Sequence, residues 1–120
     1  MSKILIVEDD SDIVEYVRMI LLPYGHEIFI DRKGDRAVHI ARKDKVDLIL
    51  LDVSLPVMDG YSIQTQLLEL EETKEIPIIV MTAKKNLEEM FWMAANVVEF
   101  VLKPFDHKQL LKKINSSIKK

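Results

Sequence analysis

Six polar residues stand directly after short apolar runs. Glu8, Asp9 and Asp10 follow Ile4-Leu5-Ile6-Val7, and Asp52 closes Leu48-Ile49-Leu50-Leu51. Thr82 follows Ile78-Ile79-Val80-Met81, and Lys103 follows Val101-Leu102. Carboxylates gathered at one place repel each other, and a hard cation relieves them. A few acidic oxygens plus waters suit Mg2+. A lysine beside such a cluster stabilises an added anion, and a threonine hydroxyl can donate to it. A central aspartate can itself be the nucleophile, as in aspartyl-phosphate chemistry. The set reads as a Mg2+-dependent phosphoryl acceptor. Each acid taken singly reads as well as a cap on the next helix. That reading weakens when all the positions are taken together.

The elements that must position these residues are legible as alternation. Continuous apolar runs at 3–7, 47–52, 76–82 and 97–102 suit strands buried on both faces, as in a parallel sheet. The weaker run 27–30 reads as an edge strand. Between them apolar residues recur at helical steps: Ile13, Val14, Val17, Ile20, Leu21 and Tyr24; then Ala37, Val38, Ile40 and Ala41; then Ile63, Leu67, Leu68 and Leu70. A fourth helix is expected at 86–95, and a fifth carries Leu110, Leu111, Ile114 and Ile118 from a start near Asp106. Ser11 is the expected N-cap of the first helix, which Pro23 and Gly25 end. The order βαβαβαβαβα predicts a (βα)5 α/β fold, a doubly wound five-stranded parallel sheet with right-handed crossovers. Ligands of such sheets bind beyond the carboxyl ends of the strands, where the six polar residues fall.

The chain has 120 residues, enough for one domain. With 48% apolar and 31% charged residues it has the composition of a globular protein that needs no staples. It has no cysteine, which excludes disulfides, thiolate metal sites and a cysteine nucleophile. Its net charge of −3 argues against nucleic acid as a direct partner. No apolar stretch has the length of a signal peptide or a membrane span, so a cytoplasmic protein without a membrane partner is expected. His26, His39 and His107 show no metal spacing and read as surface residues. Lys112, Lys113, Lys119 and Lys120 read as complements to a helix C-terminus.

The run Asp52-Val53-Ser54-Leu55-Pro56-Val57-Met58-Asp59-Gly60 resembles the phosphoacceptor loop of bacterial and archaeal response-regulator receiver domains. So do Ile4-Leu5-Ile6-Val7-Glu8-Asp9-Asp10, Met81-Thr82-Ala83 and Val101-Leu102-Lys103-Pro104-Phe105, in order over essentially the whole chain. The resemblance implies one receiver domain over residues 1–120, with flavodoxin-like strand order 2-1-3-4-5. It implies that Asp52 is the phosphorylated residue. It makes Glu8, Asp9, Asp52 and the backbone carbonyl of Ser54 the Mg2+ site, with Asp9 rather than Glu8 as the direct ligand of the acidic pair and Asp10 not touching the ion. Thr82 matches the switch hydroxyl, Lys103 the lysine that pairs with the phosphoryl group, and Phe100 the switch aromatic. The implied protein is a phosphoacceptor switch of a two-component system, not a metabolic enzyme beyond its own phosphorylation and dephosphorylation. Its donor would be a sensor histidine kinase or a phosphotransfer protein. Its reporting face would lie on the fourth helix, fifth strand and fifth helix, with a phosphorylation-dependent dimer among the arrangements allowed.

Three features depart from that pattern. Asn96 stands where the family usually has Gly, and is expected to serve as a left-handed helix end. The stretch from Thr82 to Lys103 is about one residue short, which bears on the register of the fourth helix. Phe100 has no hydroxyl, so its switching must rest on packing. In the fourth helix Met90-Phe91-Trp92-Met93 cannot all face one core. This run reads either as buried residues with one exposed neighbour or as a surface for the output partner. The first alternative function is a pseudo-receiver that binds partners without phosphorylation. A phosphohydrolase would need a second aspartate two residues after the nucleophile, where Ser54 stands. A flavodoxin-like cofactor carrier would need a phosphate cradle where three acids stand.

Overall fold

The computed structural model describes residues 2–52, 60–82, 94–103 and 105–118. The elements are β1 (Lys3–Val7), α1 (Ser11–Leu21), a 3-10 turn (Leu22–Tyr24), β2 (Glu27–Asp31), α2 (Ala37–Asp44), β3 (Leu48–Asp52), α3 (Gly60–Glu69), β4 (Ile78–Thr82), β5 (Val97–Leu102) and α4 (His107–Ser117). The helix expected at 86–95 lies outside the described residues except at its end, as do Met90, Phe91, Trp92 and Met93. The five strands form one parallel sheet in the order β2-β1-β3-β4-β5, as predicted.

The apolar runs become strands because both sheet faces are covered. Every residue of β3 and β4 is buried. On one side Leu5, Val7, Ile49, Leu51, Ile78 and Val80 pack with Ala37, Ala41, Ile63 and Leu67 of α2 and α3. On the other side Ile4, Ile6, Leu48, Leu50, Ile79, Met81 and Val101 pack with Val14, Val17 and Leu21 of α1 and Leu110 and Ile114 of α4. Burial of each Val, Leu, Ile or Met among them contributes about 1.5–3 kcal/mol, so the strand-helix contacts dominate the stability of the frame. The expected edge position of β2 is found.

Several local expectations are corrected. Asp10, not Ser11, is the N-cap of α1: its Oδ1 accepts the Asp12 and Ile13 N–H groups at 2.9 and 3.4 Å. Both residue types cap well, and Asp10 wins because Ser11 is already helical. α1 stops at Leu21, and the turn that follows ends on Gly25 in the left-handed region at φ 79°. β5 is not buried on both faces. It is the far edge of the sheet, and Val98 and Leu102 are exposed. Asn96 does not take the left-handed conformation; among the described non-glycine residues, Lys45 does, at the end of α2. His26 is buried, not on the surface, and its Nδ1 accepts the Ser2 N–H at 3.2 Å. Lys113 does not serve the end of its own helix. Its ammonium donates to the Phe100 carbonyl and lies 3.4 Å from Glu99, which covers part of the β5 edge.

Candidate functional site

Because all five strands run parallel, their carboxyl ends share one edge of the sheet. The register brings the ends level: Val7 lies opposite Leu51, Asp52 opposite Met81 and Thr82 opposite Leu102. Glu8 leaves β1 with its N–H on the Asp31 carbonyl at 3.1 Å. Lys103 leaves β5 with its N–H on the Thr82 carbonyl at 2.8 Å. These main-chain bonds set where the side chains start.

Glu8, Asp9 and Asp52 each offer a carboxylate oxygen, and these lie within 4.8 Å of one another. Glu8 is 0%, Thr82 2% and Asp52 5% exposed, while Asp9 is open to solvent. Lys103 Nζ lies 2.6 Å from Glu8 Oε1 and 3.5 Å from Asp52 Oδ1. Glu8 Oε2 accepts the Asp10 N–H at 3.1 Å. Burial pushes the Glu8 carboxyl above the usual carboxylate range and the nearby Asp52 charge adds to this; the Lys103 and Asp10 hydrogen bonds oppose it. Asp10 is not among these three carboxylates, and its side chain caps α1.

The donor set fits a divalent ion of the hard class. Among the described residues, one lysine against three carboxylates leaves two negative charges for a cation to balance. All the ligands are oxygens, and Asp9 opens the site to water, which suits an ion that keeps part of its hydration. Ser54, expected to supply a carbonyl, lies outside the described residues. Phe100 is half-buried and packs against the cluster on the α2 and α3 side.

Two supports of this edge escaped the sequence reading. Asp31 ends β2 and is buried; its carboxylate accepts the N–H groups of Lys33, Gly34 and Arg36 at 3.1, 3.1 and 2.9 Å. It holds the turn beside Glu8. The signal was present as Asp before a Lys-Gly pair, an Asx-turn composition. Arg32 then donates to the Ser11 hydroxyl at 2.7 Å and ties that turn to α1.

A doubly wound sheet with an acidic cluster and a lysine at the carboxyl ends of β1, β3 and β5 defines a class of signalling domain. A sequence model described as the response regulator receiver domain matches residues 4–115, and the chain belongs to that family. PilH of Pseudomonas aeruginosa is 32% identical over 117 residues, which are 97% of this chain and 97% of PilH. The transcriptional regulatory protein PcoR of Escherichia coli is 31% identical over all of this chain, which spans 53% of PcoR. The chain thus spans nearly all of one relative and about half the length of others. Among solved structures, the receiver domain of the Pseudomonas aeruginosa sensor histidine kinase PA1611 superposes with a TM-score of 0.89 at 29% identity. The match covers 99% of this chain and 98% of that one, which carries a magnesium ion in its active site cleft. The Vibrio cholerae chemotaxis protein CheY4 gives a TM-score of 0.88 at 27% identity, with 98% of each chain covered. This is a receiver domain of the two-component class, a family of signalling switches that work with histidine kinases and output partners. Among the described residues no helix is long and apolar enough to cross a membrane.

Proposed function

We propose that residues 1–120 form one receiver domain that takes a phosphoryl group from a histidine kinase or phosphotransfer protein onto Asp52, in the cytoplasm. The observation that carries this reading is the meeting of Glu8, Asp9 and Asp52 within 4.8 Å, with Lys103 Nζ on two of them. Glu8, Asp9, Asp52 and the Ser54 carbonyl would hold Mg2+. When bound, that ion supplies positive charge against both the cluster and the incoming phosphoryl oxygens.

An Asp52 carboxylate oxygen attacks phosphorus as the P–N bond of the donor phosphohistidine breaks, and the histidine leaves with the electron pair and takes a proton. The product is an acyl phosphate, with up to two negative charges and three acceptor oxygens. Lys103 has the reach to move from Glu8 toward one of these oxygens, since it already lies 3.5 Å from Asp52. The Thr82 hydroxyl donates to another and draws the end of β4 inward. Phe100 then packs into the space released. A local change of charge thereby biases a two-state element. The face of segment 86–95, β5 and α4 reports the state to an output partner, with Met90, Phe91, Trp92 and Met93 as its apolar contacts and a phosphorylation-dependent dimer as one form of output.

Incubation with acetyl phosphate followed by intact mass tests this. One phosphoryl group is expected on the wild type with Mg2+, and none without Mg2+ or on Asp52→Asn. An unlabelled wild type with Mg2+ bound would leave the pseudo-receiver reading in its place.

A further inference from the structure

Two buried amides join α3 to the start of β5. Gln64 and Asn96 are each 3% exposed. Gln64 Nε2–H donates to Asn96 Oδ1 at 2.9 Å, and Asn96 Nδ2–H donates back to the Gln64 carbonyl at 3.2 Å. Most side-chain hydrogen bonds go to backbone or water, so a buried pair that spans 32 residues of sequence is unusual. Gln64 sits on the face of α3 that also buries Ile63 and Leu67, where an apolar side chain would pack with no amide to satisfy. Satisfied polar pairs of this kind specify position more than they stabilise.

What the pair positions is the first rung of β5. The Asn96 carbonyl accepts the Ile78 N–H at 2.8 Å. Val97 then lies opposite Ile78, but Glu99, not Val98, lies opposite Ile79. Val98 is therefore the extra residue of a bulge, and it is exposed. In a regular strand, residues three apart face opposite sides. The bulge brings Val97 and Phe100 onto the same side, where both pack against the cluster shared with α2 and α3. It sends Val101 into the cluster under α1 and α4. The same register ends β5 where Lys103 reaches Glu8 and Asp52. A slip of one residue would turn Phe100 to the other face and carry Lys103 off its partners.

We propose that Gln64 and Asn96 are positioning residues that lock the register of β5, fixing the face on which Phe100 packs and the point at which Lys103 meets the acidic cluster. The lock ties β5, which carries Phe100 and ends one residue before Lys103, to α3. Gln64→Leu keeps the volume of the side chain and leaves Asn96 Oδ1 without its donor. Asn96→Ala removes both hydrogen bonds, because Oδ1 and Nδ2 belong to the same side chain, and the double variant completes a thermodynamic cycle.

The test is amide hydrogen exchange by NMR on the wild type and these variants, a readout that needs no phosphorylation and so stands apart from the proposed acceptor role. The Ile78 and Lys103 amides, bonded to Asn96 and Thr82, report β5. The Glu8 and Asp47 amides, bonded to Asp31 and Lys3, report the far side of the sheet. In Gln64→Leu the β5 reporters are expected to exchange about tenfold or more faster relative to the far-side reporters, as a local opening requires. Cross-strand contacts between Val80 and Phe100 should weaken together with this change. The double variant should lose little beyond Asn96→Ala, which already removes both hydrogen bonds. If Gln64→Leu does not fold, Asn96→Ser offers the same comparison with a shorter polar side chain. Equal acceleration at all four amides, or none at any, would overturn the lock and leave the pair a plain packing contact.

Discussion

In metal-free protein, Asp52→Asn is expected to raise stability, because among the described residues the acidic cluster holds more negative charge than Lys103 offsets. Asp52 shares the site with Glu8 and Asp9, with carboxylate oxygens within 4.8 Å of one another. At an effective dielectric constant of about 20, unit charges at that separation repel by about 3.5 kcal/mol, so both neighbours together set about 7 kcal/mol against Asp52. Lys103 at 3.5 Å returns about 4.7 kcal/mol on the same scale. The exposure of Asp9 and the upward shift of Glu8 both reduce the repulsive part. The amide has the shape of the carboxylate without its charge, so a gain of about 1–2 kcal/mol is expected. The assay is urea unfolding of both proteins, first with chelator and then at saturating Mg2+. A ligand at about a hundredfold its Kd adds about 2.7 kcal/mol to the state that binds it. The wild type should take most of that gain and Asp52→Asn less, so the order of stability narrows or reverses with metal. A variant less stable than the wild type in chelator would refute the charge balance from which this follows.

Asp10→Ala should cost about 1 kcal/mol through the lost cap of α1, read in the same unfolding assay, and leave Mg2+ affinity within about twofold; a tenfold loss of affinity would make Asp10 part of the site. His26 is buried and neutral, and burial holds its pKa below the ordinary histidine value. The unfolded chain therefore binds a proton before the folded one does as pH falls. The His26 contribution is fully present above about 6.5 and is lost as pH falls from there toward the depressed folded value. Unfolding measured against pH should show this slope in the wild type and lose it in His26→Gln. The comparison isolates the histidine, because Glu8, shifted upward, tilts the curve the other way in both proteins.

The parts of this molecule that a sequence displays are those set by short-range pattern. Leu48–Asp52 and Ile78–Thr82 are unbroken apolar runs because both faces of the sheet are covered. Glu8, Asp9, Asp52, Thr82 and Lys103 declare themselves because each stands at the end of such a run. Choices between neighbours of similar chemistry were not visible. Asp10 and Ser11 both make good caps, and where the helix begins decides between them. Asp31 reads as one more surface acid until the three N–H groups it accepts are seen. His26 precedes the weak strand that starts at Glu27, and its bond with the Ser2 N–H joins residues 24 apart in sequence. The hydrogen bonds of Gln64 with Asn96 join residues far apart in sequence, and no local period encodes them. The bulge at Val98 is hidden for the same reason, since 97–102 reads as one continuous strand and only its partner β4 reveals the extra residue.

The most direct test of the central claim is to locate the phosphoryl group. Protein labelled with acetyl phosphate and Mg2+ would be trapped by borohydride, which reduces an acyl phosphate to an alcohol, and then mapped by peptide mass spectrometry. A single reduced residue is expected, at Asp52, and none when Mg2+ is withheld. Reduction at Glu8, Asp9 or another carboxylate, or a phosphoryl group that survives borohydride untouched, would contradict it.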